Sequence, residues 1–211
     1  MARIDAREHR RDDRRDARRV QLLDAAIEAV REIGPSATME QLARAGGVTK
    51  PILYRHFRDR DGLITAIAER FSVELLSAIE RALLTSEEPR FLLEHTVDAY
   101  LSFIEREPAL YRFLLRQAGG RGASGEGISP LIDAIARQVA LVVGDQLRVR
   151  GQDSGGAVPW AYGIVGLVYQ AGDWWLEDRT MTRETLTRYL TALLWHGLDQ
   201  AADTVPGEPT S

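Results

Sequence analysis

Along most of this 211-residue chain the apolar residues recur every three or four positions, and almost no stretch alternates between apolar and polar. Val20, Leu23, Ile27, Val30 and Ile33 form one series; Ile64, Ile67, Phe71, Leu75 and Ile79 form another. An α-helix turns once in about 3.6 residues, so this spacing collects apolar side chains into one stripe, whereas a half-buried strand needs a period of two. The pattern predicts an all-α protein. With 45% hydrophobic and 27% charged residues, the chain has enough apolar material to bury a core, which excludes disorder as a whole.

Glycine, proline and capping residues set the limits of the elements. Gly34-Pro35 stops a first helix expected from about Arg18 to Ile33. Thr38 suits the N-cap of a helix over 39–46; Thr49 suits the next cap, with Pro51 in the first turn where a missing N–H costs nothing. Asp59 or Asp61 can then cap a long helix to about Leu84. Further helices are expected near 89–105, 108–118, 129–149, 158–177 and 182–201, giving about nine, with a domain boundary near the middle of the fourth. Glycine, proline and serine gather at 119–130, 151–159 and 203–211, the expected loops and tail. No internal repeat is found.

Charge is uneven along the chain. Residues 1–60 hold 14 basic against 10 acidic side chains, whereas 61–211 hold 13 against 21. A basic front end either is a solvated surface or faces a polyanion, and it takes a motif to decide. Arg3 to Arg19 carries eight arginines among five acids with no apolar period, and 1–17 is expected to be a disordered arm, either structureless or tracking DNA phosphates and the minor groove.

Other chemistries find little support. The chain has no cysteine, which removes disulfides, thiol nucleophiles and zinc-thiolate sites and gives no reason to place it outside the cytoplasm. Residues 1–19 lack the apolar core of a signal peptide, and no window resembles a membrane span. Gly120, Gly122 and Gly125 match a dinucleotide-binding glycine pattern, but they follow a helix and belong to no βαβ unit. His9, His56, His95 and His196 have no paired ligand spacing, and Ser124 sits in no nucleophile elbow. Neither a metal nor a cofactor is expected, and no enzyme activity.

Residues 38–57 have the internal logic of a helix-turn-helix. Leu42 and Ala43 face the partner helices, Ala43 being small where the next helix crosses; Gly47 permits the left-handed backbone of the turn; Val48 plugs the corner. Leu53 and Phe57 return the second helix to Ile27 and Val30, leaving Lys50, Pro51, Tyr54 and Arg55 outward. Such a short cationic helix fits a DNA major groove about 12 Å wide; two short helices that merely pack are the alternative.

The segment from Val20 to Phe71 resembles the DNA-binding domain of the TetR family of bacterial transcriptional regulators. The run Thr49-Lys50-Pro51-Ile52-Leu53-Tyr54-Arg55-His56-Phe57, followed by Arg58-Asp59-Arg60-Asp61-Gly62-Leu63, carries the resemblance. It implies Tyr54 and His56 at phosphates, Thr49, Lys50 and Pro51 near base edges, and Arg58 or Arg60 at the backbone, with Thr38 and Arg55 completing the set expected at operator DNA. Many members have a small residue after the lysine, where this chain has Pro51; proline removes a donor and leaves the base read there open.

The resemblance further implies a DNA-binding domain over 18–64, a ligand-binding and dimerisation domain over 65–202 and a disordered tail over 203–211. In 160–175 and 186–198 apolar residues lie on two sides of each helix. One side serves the domain core; the other suits a second subunit, and Trp160, Leu167, Leu190, Leu194 and Trp195 are the expected homodimer residues. An unidentified small apolar or aromatic effector is expected among Tyr100, Phe103, Tyr111, Tyr169 and Trp174, with 119–127 near the cavity mouth. The favoured function is a repressor that leaves a palindromic operator when its effector binds. An all-α small-molecule-binding protein or enzyme without DNA binding, and an interaction module that has lost DNA binding, are the alternatives.

Overall fold

A computed structural model describes the backbone of residues 2–84, 88–119 and 129–204, and the side chains of 13–84, 88–117 and 132–197. Among the described residues all regular structure is helical. The elements are α1 (Ala2–Ile33), α2 (Met39–Ala45), α3 (Lys50–Phe57), α4 (Arg60–Leu83), α5 (Pro89–Arg106), α6 (Pro108–Gly119), α7 (Ser129–Val149), α8 (Ala157–Asp178) and α9 (Arg183–Thr204).

Two compact units are formed. The first comprises residues 1–71 with 109–127, and the second 72–108 with 128–211. The two units part inside α4, between Phe71 and Ser72, and α6 groups with the first unit rather than with the helices around it in sequence. Two pairs join α6 to the rest of that unit: Phe71 and Tyr111, both buried with ring centroids 6.4 Å apart, and Arg60, which donates to Gln117.

In the first unit the core is made by Leu22, Ala26, Ile27 and Val30 of α1, Leu42 and Ala43 of α2, and Leu53 and Phe57 of α3. These are positions on one face of each helix, so three short amphipathic stripes meet in a tripod. Gly34 stops α1 at φ 93° and Gly47 turns the chain between α2 and α3 at φ 67°, both in the left-handed region that glycine enters without strain.

In the second unit α7 packs on α8 and α9 on α5. Gly172 of α8 stands against Tyr100, Leu101 and Ile104 of α5; a Cβ there would lie 2.9 Å from the Tyr100 ring. An ionic lattice joins α5 to the start of α9: Arg183 donates to Asp98 (2.9 Å) and Glu105 (3.1 Å), and Arg179 donates to Glu105 (2.9 Å). The indole N–H of fully buried Trp175 donates to the Met181 carbonyl at 2.8 Å, tying the end of α8 to the connection.

Two limits differ from the sequence expectation. The arm at 1–17 is not structureless: α1 is helical from Ala2. Arginine favours helix, and acids three residues before arginines, as in Asp16 and Arg19, favour it further, so a segment without an apolar period still prolongs a helix that has already been nucleated. Asp203 and Thr204 likewise belong to α9 rather than to a tail. The rest of that tail and most of the loop expected at 119–127 lie outside the described residues.

Candidate nucleic-acid interface

The recognition surface is built by caps before it is built by charge. Thr38 closes the N-terminus of α2 with a reciprocal capping box: its backbone N–H and hydroxyl donate to the Gln41 side chain at 2.8 and 2.9 Å, and its oxygen accepts from the Gln41 backbone at 3.4 Å. The Thr38 hydroxyl is thereby committed to the helix. At the other end of α2, the Arg18 guanidinium donates to the Gly46 carbonyl at 3.1 Å, placing a cation where the helix dipole is negative. Arg19 lies 5.0 Å over the Phe57 ring. Two residues at the edge of the expected arm thus brace the turn and the far end of α3.

α3 begins at Thr49, whose side chain makes no capping hydrogen bond, followed by Pro51 in the first turn. Thr49, Pro51 and Arg55 are exposed and point away from the buried Leu53 and Phe57. Tyr54 is half-buried, with the Lys50 ammonium 5.8 Å from its ring centroid. Lys50 is not simply outward: its Nζ donates to Glu40 of α2 at 2.8 Å. That bond raises the lysine pKa and lowers that of the carboxyl, both chiefly through the hydrogen bond itself. Sequence reasoning missed Glu40 because the pair is ten residues apart and joins two elements across a turn.

His56 is half-buried, and its Nδ1 has no hydrogen-bond partner among the described residues. Burial holds its pKa below the ordinary 6.5, and Arg55, Arg15 and Arg18 lower it further. The imidazole is accordingly neutral near pH 7 and sits in a positive field that an anion would relieve.

α3 ends in a strained turn. Arg58 has φ 69° and ψ −58°, and the Asp59 N–H donates to the Phe57 carbonyl at 2.9 Å, a three-residue γ-turn centred on a residue with a side chain. Asp59 then caps α4 by accepting from the Gly62 N–H at 2.8 Å. Gly62 is obligatory: a Cβ there would lie 2.0 Å from the Phe57 oxygen. Arg58 is exposed, whereas Arg60 is engaged by Asp61 at 3.7 Å and donates to Gln117 of α6. The signal for Gly62 was in the sequence, as a glycine in the first turn of an amphipathic helix.

The second unit brings the expected effector residues together only in part. Tyr100 and Phe103 are buried on α5, and Tyr169 is half-buried on α8. Trp174 stands at the surface, 41% exposed, because its neighbour Trp175 takes the inward position. Tyr111 belongs to the other unit. A cavity of about 350 Å³ between α4 and α5 is lined by Val73, Ser77, Phe103, Arg81, Arg106 and Glu107, among others, and Phe103 is the one expected residue on its wall.

The expected dimer residues also divide. Leu190 and Leu194 are 6% and 7% exposed and share a buried α9 face with Leu186, Thr187 and Thr191, so they serve the core of their own subunit. The wheel could not say which of two apolar faces turns inward. Trp160 is half-buried, its ring lying over Gly156; Leu167 is half-buried; Trp195 is half-buried, with the Arg150 guanidinium 5.8 Å from its ring centroid. The exposed apolar side chains are instead Val158, Tyr162 and Trp174 on α8 and Tyr189 and Leu193 on α9.

A capped tripod that presents one short cationic helix defines the helix-turn-helix class of DNA-binding proteins. Residues 22–67 match the family described as bacterial regulatory proteins, tetR family, and 78–210 match the tetracyclin repressor-like C-terminal domain. An uncharacterised HTH-type transcriptional regulator of Mycobacterium tuberculosis is 34% identical over 195 residues, covering 92% of this chain and 82% of the relative. The HTH-type transcriptional activator FasR of Mycolicibacterium smegmatis is 29% identical, covering 87% and 84%. A regulator structure from Pseudomonas aeruginosa shares the fold with a TM-score of 0.71 at 14% identity, covering 89% of this chain and 93% of that one. The chain belongs to the TetR family: it is a transcriptional regulator and not an enzyme. Among the described residues no helix is long and apolar enough to cross a membrane.

Proposed function

We propose that the protein is a homodimeric, effector-responsive repressor that reads a palindromic operator with α3. The observation that carries this reading is the surface of α3 itself, where Thr49, Pro51 and Arg55 are exposed, with Lys50 and Tyr54 beside them, on a helix whose opposite face is fully buried. Thr49, Lys50 and Pro51 read base edges; Tyr54, His56 and Arg58 meet phosphates, since phosphate contacts position a protein while base contacts specify the site. Thr38 and Arg60 are weaker contributors because the cap and Gln117 already occupy them.

The homodimer is supported by the uncovered α8 and α9 residues, Val158, Tyr162, Trp174, Tyr189 and Leu193, and by Gly163 and Gly166, around which there is open space. Two-fold symmetry in the protein requires two-fold symmetry in the operator, with half-site centres about 34 to 36 Å apart or at a multiple of that distance. The effector occupies the second unit and acts through α4, which belongs to both units, Arg60–Phe71 to one and Ser72–Leu83 to the other. It must prefer the conformation that releases DNA, because equal affinity for both states shifts nothing.

The test is to sequence the genomic fragments retained by the purified protein. An inverted repeat at that spacing, whose promoter is silenced by the protein in transcription with purified polymerase, is the expected result; asymmetric sites or no enrichment overturn it. Stimulation of the same promoter would replace repressor by activator, the reading favoured by the likeness to an activator across 87% of the chain.

A further inference from the structure

Once α1 is helical from Ala2, its charges are no longer interleaved but sorted. Successive residues turn by about 100°, which brings Arg3, Arg7, Arg10, Arg11, Arg14, Arg15 and Arg18 into one arc of about 140°. Asp5, Glu8, Asp12, Asp13 and Asp16 fall in the opposite arc of similar width. From residue 3 to residue 18 the charges sort into one cationic and one anionic arc; Arg19 falls in the acidic arc, where it lies over the Phe57 ring. From Asp13 to Arg19 every side chain is exposed, so over these described residues burial does not account for the separation.

The stripe has a fixed direction at its C-terminal end. Arg18 is bonded to the Gly46 carbonyl beside the turn into α3, and Arg15 and Arg18 are near enough to His56 to lower its pKa. The cationic side of α1 therefore runs into the surface that carries His56 and Arg55. Residues 2–17 continue the helix for about 24 Å beyond the tripod, the rise of some seven base pairs along one strand.

We propose that the arginine side of α1 is a second DNA-contacting surface, lying along the phosphodiester backbone of the duplex that flanks the site held by α3. This rests on the DNA-binding reading above and adds to it a longer footprint without further base specificity: arginine on phosphate supplies affinity and salt dependence, while the acidic side faces solvent and keeps the helix from collapsing onto the duplex in other orientations.

The test compares the full chain with a variant carrying Arg7→Gln, Arg11→Gln and Arg14→Gln, and with a control carrying Asp5→Asn, Asp12→Asn and Asp16→Asn. Glutamine and arginine have similar helix propensity, so circular dichroism should report equal helix content in the arginine variant and the parent. Binding to a random-sequence duplex of about 40 base pairs is measured from about 0.05 to 0.2 M salt. The arginine variant should lose about two to three from the slope of log K against log salt and bind about tenfold or more weakly at 0.15 M. The control should keep the parent slope, because the slope counts phosphates contacted rather than net charge. A parent that binds with an arginine-variant slope equal to its own overturns this proposal and leaves the α3 reading intact. Equal and opposite changes in the two variants also overturn it, since net charge alone would then explain them. A parent that binds no duplex overturns both.

Discussion

The two glycines Gly62 and Gly172 do the same geometric job in two regions held together differently. In the first unit, Gly62 lets the first turn of α4 rest on a backbone oxygen; in the second, Gly172 lets α8 rest on side chains of α5. Around α3 the structure is fixed by caps, a strained turn and carbonyls with assigned donors, none of which can move far. Between α5 and α8 it is fixed by interlocking rings and methyl groups, which can re-pack. A reader of DNA needs atoms held to a fraction of an ångström, whereas a domain that responds to an effector needs packing that can yield.

Adding one methyl group at each glycine tests this difference directly. Gly62→Ala should be the most damaging, costing several kcal/mol, because a Cβ 2.0 Å from the Phe57 oxygen forces the γ-turn open. Thermal denaturation should show an early loss of the first unit, and DNA binding should fail with it. Gly172→Ala should cost about 1 to 3 kcal/mol, since the tight neighbours are the Tyr100 ring and the Ile104 and Leu101 side chains. If the two substitutions lower the melting temperature equally, the contrast between rigid and yielding regions is wrong.

Lys50 supplies the next test, on binding rather than folding. Lys50→Ala should weaken operator binding by an order of magnitude or more while leaving the melting temperature near that of the parent, because the side chain contributes no core. Glu40→Gln should strengthen binding to random duplex a few-fold, the ammonium being released from its carboxylate partner. Unchanged binding of both variants in a titration with fluorescent duplex would remove Lys50 from the interface.

The smallest effect is expected from pH. His56 is held below 6.5 in the free protein, so the unfolded chain takes up its proton first as pH falls, and the folded state loses stability from about pH 6.5 down to the depressed pKa. A phosphate at His56, as the proposed interface requires, would reverse the sign, because it favours the charged ring and raises its pKa. Binding should therefore take up a proton and tighten a few-fold as pH is lowered towards 6.5 and below, and His56→Gln should flatten that dependence. A parent with no pH dependence there would show that His56 stays away from phosphate.

Much of the first unit was legible because its determinants are local. Gly34, Gly47, Thr38, Pro51 and the Leu53–Phe57 spacing each act within one turn of the chain, and each stands where the sequence indicates. What was illegible is what joins distant residues. Glu40 and Lys50, Arg60 and Gln117, and the grouping of α6 with the tripod have no short-range signal. In α8 and α9 both faces are apolar, so periodicity finds the helix but cannot orient it; Leu190 and Leu194 went inward while Tyr189 and Leu193 stayed out. The arm is illegible for another reason: without an apolar stripe it gives no helical signal, although its charges carry a period of their own.

The membership of α6 in the first unit bears on how the chain is made. When residue 71 leaves the ribosome, the tripod is complete in sequence, yet Tyr111, whose ring will meet Phe71, is still to come. At about 5 to 20 residues per second, α6 follows only after several seconds. Over that interval the nascent protein carries a finished α3 on an unfinished core, and it gains its full hold on Arg60 only when Gln117 arrives.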